Sequence, residues 1–193
     1  GTGLPDVVRA VAHRASGETV ALDRALEALA LGCGADVDLV ASLEDGLSGI
    51  RAAAARLDRR PRVYFEEWDQ PQISAIRWVS ELIGIAGGDD VFPELALEPL
   101  GKGRIIADPL EAVRRAPDIV FGSWCGKKFS PRAVAARPGW QDVPAVRDGE
   151  LHEVKSSIIL QPGPAALADG VRELHRVIAR WAGRAGRPGL RTP

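Results

Sequence analysis

Trp124-Cys125-Gly126-Lys127-Lys128 sets a thiol between an indole and two ammonium groups. Three chemistries can be built on that order. A thiol beside positive charge is a candidate nucleophile, because the charge favours the thiolate, and His152 is the histidine that would serve as its base. The same sulfur is a candidate axial or chelating ligand to the metal of a bound complex. Lys127 and Lys128 attract a phosphate or carboxylate on a ligand, or form an ordinary solvated face. The nucleophile reading lacks its third member, since no acid or amide is placed to orient His152 and Cys125 does not stand at a clear helix N-terminus. No catalytic residue is therefore assigned; a cytosolic thiol enzyme using Cys125 is the alternative from a different class.

Other reactive residues give less. Glu66 and Glu67 are neighbours in a strand-like run, so their carboxylates project to opposite faces and cannot act as an acid–base couple. Cys33 and Cys125 lie far apart with no Cys-x-x-Cys or Cys/His spacing, so neither a zinc site nor a disulfide framework is indicated. No metal ligand set and no resident cofactor is expected. His13 and His175 lie in helical patterns without ligand-like partners. "LGCGADV", residues 31–37, follows a helical pattern and has Val37 where a dinucleotide fingerprint takes Gly or Ala, so it is read as a helix–helix turn.

These side chains need elements to position them, and the patterning changes at Pro61. Before it the chain is Ala-rich and helical, with a stripe at Leu39, Leu43, Leu47, Ile50, Ala54 and Leu57 that predicts one long amphipathic helix over residues 39–60. After it, strand and helix patterns alternate. "RVYFEEW" is predicted as a strand, "ISAIRWVSELIGIAGG" as a helix stopped by Gly87 and Gly88, and "DPLEAVRRAP" as a short helix. "DIVFGSW" is predicted as a buried strand, and "SPRAVAARPGW" as a helix with Ser130 as its cap. "VPAVRDGELHEV" is predicted as two short strands about Asp148-Gly149. A last helix follows Pro164, with Leu167, Val171, Leu174, Ile178 and Trp181 on one face.

Strands separated by helices imply an α/β fold, a Rossmann-like lobe with a mostly parallel sheet, preceded by a long helical backbone segment. The expected domains are residues 1–60 as helical segment and inter-lobe helix, 61–183 as the α/β lobe, and 184–193 as a flexible tail. Ligands of such sheets collect beyond the carboxyl ends of the strands. Trp68 and Trp124 both end predicted strands, so they are expected as an exposed aromatic pair on one rim, lining a ligand; Trp78, Trp140 and Trp181 are expected to pack. The 193 residues carry 25 basic against 26 acidic side chains, are 46% hydrophobic, and contain no apolar run of membrane-spanning length. Nothing in that balance marks a nucleic-acid partner and none is expected, and no signal peptide is recognised, so the chain, if complete as given, reads as cytoplasmic.

The blocks from Arg60 to Phe92, from Arg114 to Phe129, from Val143 to Val154 and from Gln161 to Ile178, in this order, resemble the C-terminal lobe of the helical-backbone, cluster-type substrate-binding proteins of ABC importers. Within that group they resemble the cobalamin-binding proteins most. The resemblance implies a corrinoid, or another metal chelate such as a siderophore or haem, clamped between two lobes that one long helix joins. It implies delivery to an importer permease and a periplasmic or cell-surface location. By that resemblance Glu67, Trp68 and Ile73 face the cleft, Ser157 and Gln161 supply polar contacts, and Glu111 docks on the permease. The two-lobed family's first strand and Ser-x-x-Pro loop have no counterpart in residues 1–60.

Overall fold

The computed structural model describes residues 37–185. Residues 1–36, with all but the last residue of the stretch 31–37 read as a turn, lie outside the described residues, as does the tail from residue 186. The first described element is helix α1, Val37–Ala54. It buries Val40, Leu43, Leu47 and Ala54, while Leu39, placed on the stripe by spacing, is exposed.

Strand β1, Arg62–Asp69, is central. It pairs antiparallel with β2, Gln72–Ser74, across a turn containing a cis Gln70–Pro71 peptide. Near its start it pairs in parallel with the two-residue β3, Asp89–Asp90. Its other side takes β4, Ile119–Gly122, in parallel, and β4 takes β5, Leu151–Glu153, in parallel, giving the path β2-β1-β4-β5. The expected α/β lobe with a mostly parallel sheet is the observed architecture.

Alternation along the strands divides the core. Val63, Phe65, Ile119 and Phe121 face one side, where they meet Leu43 and Leu47 of α1, α2 (Arg77–Ala86) and the C-terminal helix. Tyr64, Val120 and Trp124 face the other, against the short helices α3 (Glu111–Arg114), α4 (Pro131–Ala135) and α5 (Pro144–Arg147). Helix α6, Ser156–Ile159, follows β5 and joins the first side through Ile159. The last helix, α7 (Val171–Ala185), continues a π-helical turn at Ala166–Gly170 and buries Val171, Leu174, Val177, Ile178 and Ala182.

Two predicted elements are corrected. Residues 143–150 are not a hairpin: Pro144 occupies the first turn of α5, where its missing N–H costs nothing, and Gly149 at φ 71° ends that turn. Only Leu151–Glu153 is a strand, because β4 supplies a parallel partner and no hairpin is needed. Ile73 and Ser74 belong to β2 rather than to the following helix, which starts at Arg77 after the Ile76 N–H is taken by the Glu67 carboxylate at 2.7 Å. Other local signals act as expected: Gly87, at φ 99°, terminates α2, and Ser130 Oγ accepts the Ala133 N–H at 3.2 Å.

Candidate functional site

Strands β1, β4 and β5 run in parallel, so their carboxyl ends share one edge of the sheet. Trp68 and Asp69 end β1, Ser123–Lys128 leave β4, and Val154–Ser157 leave β5. An open cavity of about 370 Å³ lies beyond β4 and β5; Trp124, Lys127, Lys128, Glu153, Lys155 and Ser157 are among the residues that line it. This is the edge where an α/β sheet offers ligands diverging loops.

Trp68 and Trp124 do share this rim, and Lys127 joins them. Its ammonium stands 4.7 Å from the Trp68 ring centroid, 4.9 Å from that of Trp124, and 2.6 Å from Asp69 Oδ1. The cation–π contact with Trp68 and the ion pair with Asp69 therefore tie the β4 loop to the end of β1, while the contact with Trp124 braces the loop on itself. The expectation of an exposed pair is corrected: Trp124 is only 6% exposed, and Trp68 is half-buried with its indole N–H donated to the Gln70 carbonyl at 2.9 Å. Trp124 is covered by Phe129, whose ring meets it edge-on at 5.0 Å. That ring lies so close to β4 that a Cβ on Gly122 would fall 1.9 Å from it, which is why the strand ends in glycine.

Behind Trp124 lies a buried polar network that sequence reasoning missed. The fully buried Glu66 carboxylate accepts the Trp124 Nε1–H at 2.9 Å, the Tyr64 hydroxyl at 2.9 Å and two Arg137 N–H groups at 2.7 and 2.8 Å. Both carboxylate oxygens are engaged, one by the indole and Arg137 and the other by Tyr64 and Arg137. Burial works to lower the Arg137 pKa, but the hydrogen bonds and charge of Glu66 outweigh it and the net shift is upward. Burial, then the charge of Glu66, pushes the Tyr64 hydroxyl well above its usual range. The plane of the Trp124 indole is thus set from inside the fold, before any ligand arrives.

Glu67, one residue on, projects to the opposite face as alternation requires. It pairs with Arg104 at 2.8 Å and accepts the Ile76 N–H, while Arg104 donates to the Ser74 carbonyl at 2.7 Å. Burial raises the Glu67 pKa, with Arg104 opposing. Its carboxylate is thus engaged in holding the residue 101–106 segment to β2, where Ile73 and Ile105 form a bridge and the Ile106 N–H reaches the Gln72 carbonyl. Ile73 sits in that second contact.

The structure thus brings Trp68, Trp124 and Ser157 to one edge, with Cys125 on the connecting loop. Cys125 is exposed as a free thiol. His152, its proposed base, has Nε2 2.7 Å from Glu150 and 3.1 Å from Arg180. Gln161 is exposed beyond α6 and is not among the cavity residues. Glu111 lies at the start of α3 with its carboxylate on Arg114 at 2.7 Å and Arg115 at 2.9 Å; those hydrogen bonds, Arg115 first, hold its pKa below the usual value. Lys155 was missed by sequence reasoning; its signal was its position directly past a strand that the cavity borders. Among the described residues no cluster of His, Cys, Asp and Glu is arranged to hold a metal ion.

A protein-family model described as a periplasmic binding protein matches residues 34–158. No curated protein sequence matches the chain. Among solved structures, an ABC transporter substrate-binding protein from Listeria monocytogenes EGD-e superposes with a TM-score of 0.66 at 14% identity, over 83% of this chain and 65% of that one. The periplasmic vitamin B12 binding protein BtuF of Vibrio cholerae gives 0.63 at 16% identity, over 93% of this chain and 71% of that one. The periplasmic heme-binding protein RhuT from Roseiflexus sp. RS-1 gives 0.57 at 23% identity, over 78% of this chain and 60% of that one. The chain therefore spans less than two thirds of the length of two of these three structures, and at these identities the likeness is one of fold.

Proposed function

Because the chain belongs to the periplasmic binding protein family, we propose that it is the solute-binding component of an ABC importer, holding a metal chelate at the carboxyl edge of its sheet and delivering it to a permease. The observation that carries this reading is the cavity beyond β4 and β5, walled by an indole that Glu66 holds in place. A rigid aromatic wall with convergent polar groups suits a large, flat or apolar-faced ligand, and nothing in the arrangement calls for covalent chemistry. Trp124 and Ser157 line the cavity, and Trp68, joined to that rim through Lys127, is the third contact residue of this reading. Glu67 and Ile73 shape the neighbouring rim, Cys125 lies on the loop between the cavity residues Trp124 and Lys127, and Gln161 lies outside the cavity.

Cobalamin or a related corrinoid is one member of the ligand class, supported by the sequence resemblance and by the fold shared with BtuF. A haem- or siderophore-type chelate is the other, supported by the lysines around the cavity and by the fold shared with RhuT. Helix α1 is proposed as the inter-lobe helix, and Glu111 as a permease contact that exchanges Arg114 or Arg115 for a basic group on the partner. The location that follows is the periplasm or cell surface; among the described residues no helix is long and apolar enough to cross a membrane.

The test is a tryptophan-fluorescence titration with cyanocobalamin, haemin and a ferric siderophore, corrected for inner-filter absorption. Saturable quenching by at least one chelate is expected, weakened roughly tenfold in Trp68→Ala as an aromatic contact is removed. Absence of saturable binding for all three would refute the proposal.

A further inference from the structure

The lysines around the cavity do not have equivalent surroundings, and that difference bears on the ligand. Lys127 is committed to Asp69 and to the faces of Trp68 and Trp124. Lys128 and Lys155 are exposed and, among the described residues, have no carboxylate within ion-pair distance. The one acid of the cavity wall, Glu153, accepts the Phe129 backbone N–H at 3.1 Å. This concentration of ammonium groups is local, because the whole chain has a formal net charge of −1.

From this we infer that the site selects anionic chelates, with Lys128 and Lys155 reading the charge and Lys127 serving as a fixed part of the rim. The inference rests on the chelate-binding function proposed above. Two unpaired ammonium groups flanking one cavity favour a ligand that brings carboxylate or catecholate oxygens past a flat face, and they gain little from a corrinoid whose periphery is mainly neutral amides. The hydroxyl of Ser157, also at the cavity, is a further donor for such oxygens. Lys127 adds little to the selection, since a ligand anion would have to displace Asp69 at 2.6 Å to engage it fully.

The experiment titrates the full chain with three probes: a trianionic ferric tricatecholate, a neutral ferric trihydroxamate, and cyanocobalamin, each at low and high salt. The tricatecholate should bind tightest and lose affinity as salt screens its charge. Lys128→Gln and Lys155→Gln should each weaken it about tenfold, the scale of one charge-assisted hydrogen bond, and leave the neutral probes unchanged. Neutral probes binding as tightly as the tricatecholate, or either lysine variant leaving tricatecholate affinity unaltered, would overturn the charge selection while the chelate-binding function stands. Failure of all three probes and of haemin to bind would overturn both.

Discussion

Removing the Glu66 carboxylate tests whether the wall of the site is built by the buried network or only decorated by it. Glu66→Ala takes away the acceptor of four hydrogen bonds, two from Arg137 and one each from Trp124 and Tyr64. It leaves a guanidinium whose side chain is 17% exposed without its counter-charge. Breaking a buried ion pair from one side costs about 3–5 kcal/mol, and an orphaned indole N–H adds about 1 kcal/mol or more. A total near 5 kcal/mol is a large part of the roughly 5–15 kcal/mol by which a domain is stable. For a chain of this size it corresponds to a fall in Tm of roughly 10–20 °C. Glu66→Gln, which keeps an oxygen for Trp124 but no charge for Arg137, should lose about half as much. Combining Glu66→Leu with Arg137→Met should cost less than the sum of the two single changes, because both charges then leave together. Urea unfolding followed by circular dichroism measures Glu66→Ala, Glu66→Gln, the double variant and its two single changes. A loss below about 1 kcal/mol for Glu66→Ala, or strict additivity in the double variant, would refute the argument that the pair is coupled and structural.

Three further outcomes follow from the same geometry. Gly122→Ala should destabilise by about 3 kcal/mol, since the new methyl would meet the Phe129 ring at 1.9 Å, and adding Phe129→Ala should relieve that clash in a urea-unfolding comparison. Glu150 is held below its usual value of 4.5 because hydrogen bonds from His152 and Arg180 outweigh burial. The unfolded chain then takes up the proton first, so this contribution is present above 4.5 and is lost as pH falls through the lower folded value; Glu150→Gln should flatten stability against pH in that window. Cys125→Ser, at an exposed free thiol, should change stability by less than about 0.5 kcal/mol and leave chelate affinity intact; loss of binding with the fold preserved would make the sulfur a metal ligand.

Short apolar runs at Arg62–Asp69 and Ile119–Gly122, and the helical stripes after them, carry their own structure because each depends on neighbours within a few residues. Parallel strands then have only one arrangement of ends, so the common rim of Trp68 and Trp124 was determined by the order of elements along the chain. Local patterning also determined that Glu66 and Glu67 part company, since alternation is a property of the extended backbone. It misled at Val143–Glu150, where Asp148-Gly149 suits a hairpin and a helix end equally well and the parallel partner for Leu151–Glu153 is decided far away by β4.

What only the tertiary structure decided concerns partners distant in sequence. Glu66 meets Trp124 58 positions on and Arg137 71 positions on, and no periodicity connects residues so separated. For that reason an indole expected at the surface is instead buried beneath Phe129 and tethered from behind. The choice among the lysines has the same origin. Lys127 and Lys128 are adjacent and chemically identical, yet the end of β1 presents Asp69 and Trp68 to the first, while among the described residues no carboxylate pairs with the second. The sequence determined which residues reach the edge of the sheet, because strand direction and order are local and topological matters. Packing between strands far apart in the chain determined which of those residues are committed to the fold and which remain available to a ligand.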